Sequence, residues 1–315
     1  SDYDLQRIDA VVSGKLAEDL YFMFGGYVQQ SPGIRDAGFN SEKGNQFTLN
    51  ITKILDNGKI NFFTRSTDDH GAWYLPTPLV DGVDNNYTQL GTLNRQATIQ
   101  YGPDGTSESV DFGEGRGWRG TVTGGSVNLE FAEGWTFVDR FAHLSGDADT
   151  LGLVPNGNPA LLSSVADNGV SAIGAVTGDV YDGDTLVQQV GRWVVRKDIE
   201  SFTNDVAITK QTDKFKASLG LYVANFSSND WWSIGNQSYH VIRPGGENLT
   251  GIACNDSQDS CDWNYDINAT GDGTTKAIYA AFEYKLTDTV TADVGVRDEN
   301  HTIDYTVDEG LDGVI

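Results

Sequence analysis

The side chains that most often do chemistry are few and scattered in this sequence. Four histidines, His70, His143, His240 and His301, stand far apart, and none forms a His-x-x-x-His pair. No serine sits in a nucleophile-elbow pattern, and carboxylates are so evenly spread that no pair stands out as an acid and its base. These absences predict a protein that is not an enzyme and has no catalytic residues. Cys254 and Cys261 lie close together in a polar segment with no other cysteine in the chain, which predicts one disulfide closed in an oxidising compartment. A metal pair is the alternative, but no nearby Cys or His completes a ligand set. Asn255, Asp256, Asp259 and Asp262 flank the cysteines and could offer oxygens to calcium, yet their spacing fits no EF-hand, so a disulfide-pinned polar loop is the better reading. Asp179, Asp182 and Asp184 read as a solvated loop. No metal and no cofactor is expected.

The residues most able to recognise something are aromatic. Trp73, Tyr74, Trp231, Trp232, Tyr239 and Trp263 fall in segments that read as loops, beside Asp and Asn neighbours. Large rings next to polar groups can stack on sugars, chelates or ring compounds, or can simply pack loops together. Trp73 with Tyr74, and Trp231 with Trp232, each follow a strand that rises to the same end, so both pairs are expected at one rim.

The elements that would hold them are strands. In 45–55, Phe47, Leu49 and Ile51 alternate with Thr48, Asn50 and Thr52, giving one apolar and one polar face. Asp56-Asn57-Gly58-Lys59 is a hairpin turn, because Asn and Gly accept positive φ. The same unit recurs with turns at 17–19, 132–135, 212–215 and 286–289. The reading is about ten antiparallel strands in five hairpins, each near the 9–11 residues of a tilted membrane strand. Between hairpins, 31–42, 70–119, 147–187 and 228–273 read as long polar loops, with a short helix within 158–168. Short turns at one end and long loops at the other suit an outer-membrane barrel, and loops of that length are uncommon in a soluble sandwich. Tyr21, Phe22, Phe24, Tyr27, Trp135, Phe137 and Trp193 are candidates for interfacial aromatic girdles.

Composition agrees. The net charge of −24 argues against nucleic acid as a partner. No apolar run approaches the roughly 18 residues of a membrane helix, which leaves strands as the only way to span a bilayer.

Two segments carry a resemblance. Leu5-Gln6-Arg7-Ile8-Asp9-Ala10-Val11-Val12-Ser13-Gly14 leads through a hairpin to Gly25-Gly26-Tyr27 and Gly33-Ile34-Arg35-Asp36; Asp68-Asp69-His70-Gly71-Ala72-Trp73-Tyr74-Leu75-Pro76 follows. Together they resemble the early barrel of proteobacterial TonB-dependent receptors, and Trp231-Trp232-Ser233-Ile234-Gly235-Asn236 is similar to a loop of that family. The resemblance implies an all-β antiparallel meander, part of a transmembrane barrel of about 22 strands in the outer membrane of a Gram-negative bacterium. It implies that residues 1–315 are partial barrel with no plug domain: the plug would precede Ser1, and the remaining strands would follow Ile315. Its implied partners are outer-membrane lipid, a small-molecule ligand and, through the plug, the TonB energy-coupling complex. The implied function is energy-coupled uptake of a scarce nutrient, such as a siderophore, haem, cobalamin or an oligosaccharide. A passive porin and a surface β-rich adhesin are the alternatives.

Overall fold

The computed structural model describes residues 3–82, 87–100, 106–166, 171–235, 237–252 and 265–309. In chain order the strands are β1 (Gln6–Ala17), β2 (Leu20–Ser31), β3 (Glu42–Leu55), β4 (Gly58–Gly71), β5 (Gln96–Gln100), β6 (Ser107–Asp111), β7 (Arg116–Ala132), β8 (Trp135–Leu161), β9 (Ser171–Gly174), β10 (Val180–Asp182), β11 (Leu186–Gln211), β12 (Phe215–Ile234), β13 (Ser238–Val241), β14 (Glu247–Thr250), β15 (Tyr265–Lys285) and β16 (Thr291–Glu309). One helical turn, α1 (Leu162–Val165), follows β8. The ten long strands pair as an antiparallel meander, β1-β2-β3-β4-β7-β8-β11-β12-β15-β16, with β1 and β16 at its two edges. This is the predicted all-β meander. The four short strands β13-β14-β9-β10 extend from the top of β11, and β5 with β6 form a separate hairpin.

All five tight turns lie at one end, because each reaches its neighbour through the backbone. Ile54 N–H donates to Asp19 O, Glu130 N–H to Asn57 O, Gln211 N–H to Gly134 O, and Lys285 N–H to Lys214 O. The turn chemistry is local: Asp19 and Gly134 take positive φ, and the Thr212 hydroxyl accepts from the N–H groups of Lys214 and Phe215. The long connections are at the other end.

The strands run further than the sequence suggests. β8 has 27 residues and β11 has 26, so at about 3.3 Å per residue each is roughly 85–90 Å long, against a hydrocarbon core of about 30 Å. Much of what reads as loop in 147–187 and 228–273 is therefore the upper part of β8, β11, β12 and β15. Backbone pairing continues there without a break, from Trp135↔Lys210 to Leu151↔Val194.

Period-two alternation divides the lower sheet. On one face Val12, Phe24, Phe47, Phe62, Phe141, Ile208, Leu219, Leu221 and Val296 are open to the surroundings, with Leu219 and Leu221 each 56% exposed. The other face is a polar ladder: Asn61 donates to Asn50 and Thr52, Thr209 pairs with Ser218, and the Tyr27 and Tyr279 hydroxyls donate to Asp69 and Asp205. Apolar side chains facing outward and hydrogen-bonded polar ones facing inward are the arrangement lipid imposes on a barrel.

The apolar band runs obliquely across the hydrogen-bond rows. Ile8 and Val28 are level partners, and following the same row across the sheet meets Asn45, Asp68, Arg119, Asp147, Asp198, Asn229, Thr270 and Thr306, all polar. On the same face of β16 the large apolar side chains are instead Val294 and Val296, near the turn. The band thus slides about one residue, ~3.3 Å, per strand spacing of ~4.8 Å, which corresponds to a strand tilt of about 35° to the membrane normal. Near the turns, Phe131 packs on Trp135, Phe215 on Phe282, and Phe282 on Tyr284, forming an aromatic border to the band.

The buried apolar clusters sit above this band. Leu151, Leu153, Val190 and Val194 are covered by Leu90, Ile99, Val110 and Phe112 from the β4–β7 connection. By register, Leu151 and Val194 continue the face of Phe137 and Ile208. The face left to lipid below is closed by the chain's own β5–β6 hairpin above.

Candidate binding face of the loop layer

Trp73 leaves the top of β4 and lies across the polar face of the neighbouring strands. Its ring centroid is 6.5 Å from that of Trp193, and the guanidinium carbon of Arg116 sits 4.2 Å above its ring. Gly152 makes this approach possible, since a Cβ there would meet the indole. Trp232 belongs to the same face. Arg116, Thr150, Val195 and Trp232 are successive partners in one row, so Trp232 stands three strand spacings, about 14 Å, from Arg116. Lys197 lies 5.5 Å from the Trp232 ring and is ion-paired at 2.6 Å with Asp230, which is almost fully buried. The result is a half-buried shelf of indoles on the polar face at the loop end of the sheet, with cations over Trp73 and Trp232.

The other candidates are elsewhere. Trp231 and Trp232 lie within β12 rather than in a loop after Ser228, so alternation turns them to opposite faces. Trp231 packs against the cluster of Leu151 and Val194 under Arg196, which is ion-paired with Glu108. The Tyr74 hydroxyl donates to the carbonyl of Arg35 at 2.8 Å and lies 2.7 Å from Ser41 Oγ, tying down the 32–41 loop; burial pushes its pKa up. Tyr239 is in β13 rather than a loop and packs on the second apolar cluster with Leu162, Val187, Val241 and Leu249. Trp263, Cys254 and Cys261 lie outside the described residues, so the disulfide expectation stands as a proposal. The cleft between Trp73, Tyr74, Gln89 and Leu153 has a volume of about 20 Å³, enough for one water and far too small for a nutrient.

Trp193 is the residue sequence reading misplaces. As a girdle candidate it should sit at the bilayer boundary, but it is far up β11, well above the aromatic border formed by Trp135 and Phe282. Counting back from the turn at Thr212 is the signal that would have found it. Tyr27 is likewise no girdle residue, because its hydroxyl donates to Asp69 on the polar face. The predicted helix within 158–168 shrinks to the single turn α1, since β8 continues to Leu161.

The acidic loop proves to be held by a buried carboxylate. Asp182 accepts from the Asp184 N–H and the Thr185 hydroxyl in a local turn. Beneath it, Glu247 is fully buried and accepts from the N–H groups of Val176 and Thr177, the hydroxyls of Thr177 and Tyr181, and Arg243. Burial pushes the Glu247 pKa up, but the Thr177 backbone and hydroxyl bonds and those from Val176 and Tyr181 outweigh it and hold the carboxyl below its ordinary value. Every partner is structural, so Glu247 is a tie between β14 and the β9–β10 loop. Among the described residues no group of three or more His, Cys, Asp or Glu could hold a metal.

A meander with all its turns at one end, an oblique outward apolar band and a tall layer of packed loops defines a segment of an outer-membrane β-barrel. The solved structure of P. aeruginosa FpvA bound to a heterologous pyoverdine with iron has this fold: the match covers 98% of this chain and 37% of that one, with 13% identity and a TM-score of 0.51. Matches also include the ferric-catecholate import receptor Fiu of E. coli K12 (14% identity, 96% of this chain and 43% of that one, TM-score 0.49) and the siderophore receptor PiuA of Acinetobacter baumannii (12%, 97% and 45%, 0.44). This chain therefore spans less than half the length of these receptors. No protein-family model and no curated protein matches the sequence. At the level of fold, the chain is similar to part of the FpvA structure.

Proposed function

We propose that this chain is part of the barrel of an outer-membrane receptor that captures a scarce nutrient outside the cell and imports it with energy delivered through TonB. The loop layer carries this reading. An indole shelf of Trp73, Trp193 and Trp232 stands on the polar face of the sheet at the loop end, where a ligand entering from outside would meet it. The pyoverdine–iron complex bound to FpvA makes a ferric chelate the first ligand to try, ahead of haem, cobalamin or an oligosaccharide. Catalysis is not part of this reading. In cells carrying the full-length protein, labelled ferric chelate should bind with or without an uncoupler of the proton-motive force, and enter only without it. Entry that persists with the uncoupler would favour a porin, and a surface protein that binds but never imports would favour an adhesin.

Within this proposal Trp73 and Trp232 contribute to ligand recognition. Replacing both with alanine should weaken ligand binding at least several-fold while leaving assembly and heat stability nearly unchanged. Unchanged affinity would reject the recognition role, and loss of folding would assign both rings to packing.

A further inference from the structure

His240 is fully buried in β13, between Gln188 of β11 and Asn248 of β14. Its Nδ1 accepts from Asn94 Nδ2 at 3.5 Å, which leaves the proton of the neutral ring on Nε2. That Nε2 is buried and meets no acceptor among the described residues. Asn94 belongs to the 87–99 segment and is itself buried, with its Oδ1 accepting from the Gly91 N–H. Tyr87 of the same segment bridges to Pro244 beyond β13. The segment is thus fastened to the β13–β14 hairpin through buried polar groups, with His240 at the contact.

Among the described residues the charge that acts on His240 is positive. Arg192 of β11 faces it and donates to the Thr98 carbonyl. From the 87–99 segment, Arg95 is taken up by Asp111. The one carboxylate of the hairpin, Glu247, is engaged on the β9–β10 side by Val176, Thr177, Tyr181 and Arg243. No carboxylate is available to an imidazolium among these groups.

We propose that His240 is an acid-sensitive latch that holds the 87–99 segment on the β13–β14 hairpin while neutral and releases it when protonated. A second ring proton would turn the Nδ1 acceptor into a donor facing the Asn94 amide, and would place a buried cation beside a guanidinium. The latch stands on this geometry and is independent of what the receptor imports. Burial, and then Arg192, push the His240 pKa down from 6.5 to about 3. With the segment open, the ring regains its ordinary value. Above about pH 6.5 both forms are neutral and opening does not depend on pH. Below it the open form takes up a proton that the closed form refuses, so the opening constant rises about tenfold per pH unit until the closed form also protonates. Release takes Leu90 and Ile99 off the cluster of Leu151, Val190 and Val194.

The test is hydrogen exchange of the 87–99 amides in the full-length protein, corrected for intrinsic exchange, between pH 7.5 and 4.5. Opening should be flat from pH 7.5 to 6.5 and then rise about 100-fold by pH 4.5, whereas His240→Gln, neutral at every pH, should show no such rise. NMR of the His240 ring gives a second reading that does not depend on a variant: the ring should stay neutral at pH 5 wherever the segment is closed. No rise in the native protein, the same rise in His240→Gln, or a ring that protonates near pH 6.5 with the segment still closed would each overturn the latch. If His240→Gln leaves the segment open at every pH, a neutral ring at pH 5 in the native closed form sustains the proposal and a protonated one ends it.

Discussion

Tyr74 and Glu247 show how single side chains hold the loop layer. Tyr74→Phe removes the donor to the Arg35 carbonyl and the contact with Ser41, and should cost about 1 kcal/mol. The loss should be confined to the 32–41 loop, read as faster amide exchange there with no change at the turns. Glu247→Ala strands Arg243 and four further donors, and should cost about 3 kcal/mol in the local stability of the β9–β10 loop. The sign with pH follows from its lowered pKa. The stabilisation from Glu247 is complete above its ordinary value of 4.5 and is lost as pH falls through the lower folded value. Acid therefore acts on the two halves of the layer in separate windows: below about pH 6.5 at His240, and only below 4.5 at Glu247. Exchange of the 174–182 amides that begins to rise at pH 6 would contradict this.

At the scale of the element, much was legible in the sequence, for a physical reason. Turn chemistry and period-two alternation are local, so Asp56-Asn57-Gly58 and the run from Phe47 to Ile51 identify a hairpin without reference to anything distant. The upper strands are less legible because lipid no longer imposes alternation there. Ser227-Ser228-Asn229-Asp230 has the composition of a loop, yet β11 and β15 pair with it on both sides and carry β12 on to Ile234. Trp231 and Trp232 are therefore strand residues on opposite faces, and only one of them shares the shelf with Trp73. The clusters around Leu90 and Leu162 were not legible at all, since each joins segments far apart in the chain. The faces of the lower strands make a prediction of their own. Leu219→Lys places a charge on the apolar face and should cost about 2–4 kcal/mol in the membrane-embedded protein. Thr203→Lys, on the polar face of β11, should cost less than about 1 kcal/mol. Equal costs in equilibrium unfolding from bilayers would mean that the faces are wrongly assigned.

For the whole molecule the account rests on the direction of the apolar band. An ordinary water-soluble sheet has no reason to present outward apolar residues along a line that crosses its hydrogen-bond rows, sliding about one residue per strand; a tilted barrel in a flat bilayer requires it. Even tilted by about 35°, β8 and β11 rise roughly 70 Å along the membrane normal, so they project well beyond the lipid on the side of the long connections, where the packed clusters lie. The direct measurement is a depth scan of the full-length protein in bilayers, with spin labels placed singly in a background of Cys254→Ser and Cys261→Ser. Labels at Val28, Phe137, Leu219 and Val296 should be reached by a lipid-soluble relaxation agent. Labels at Asp147, Asn229 and Thr306, which share the hydrogen-bond row of Val28, should be reached by a water-soluble one. Lipid access at Val28 with water access at Thr306 is the predicted result. Access that follows the hydrogen-bond row, so that Val28 and Thr306 behave alike, would contradict the tilted-barrel account.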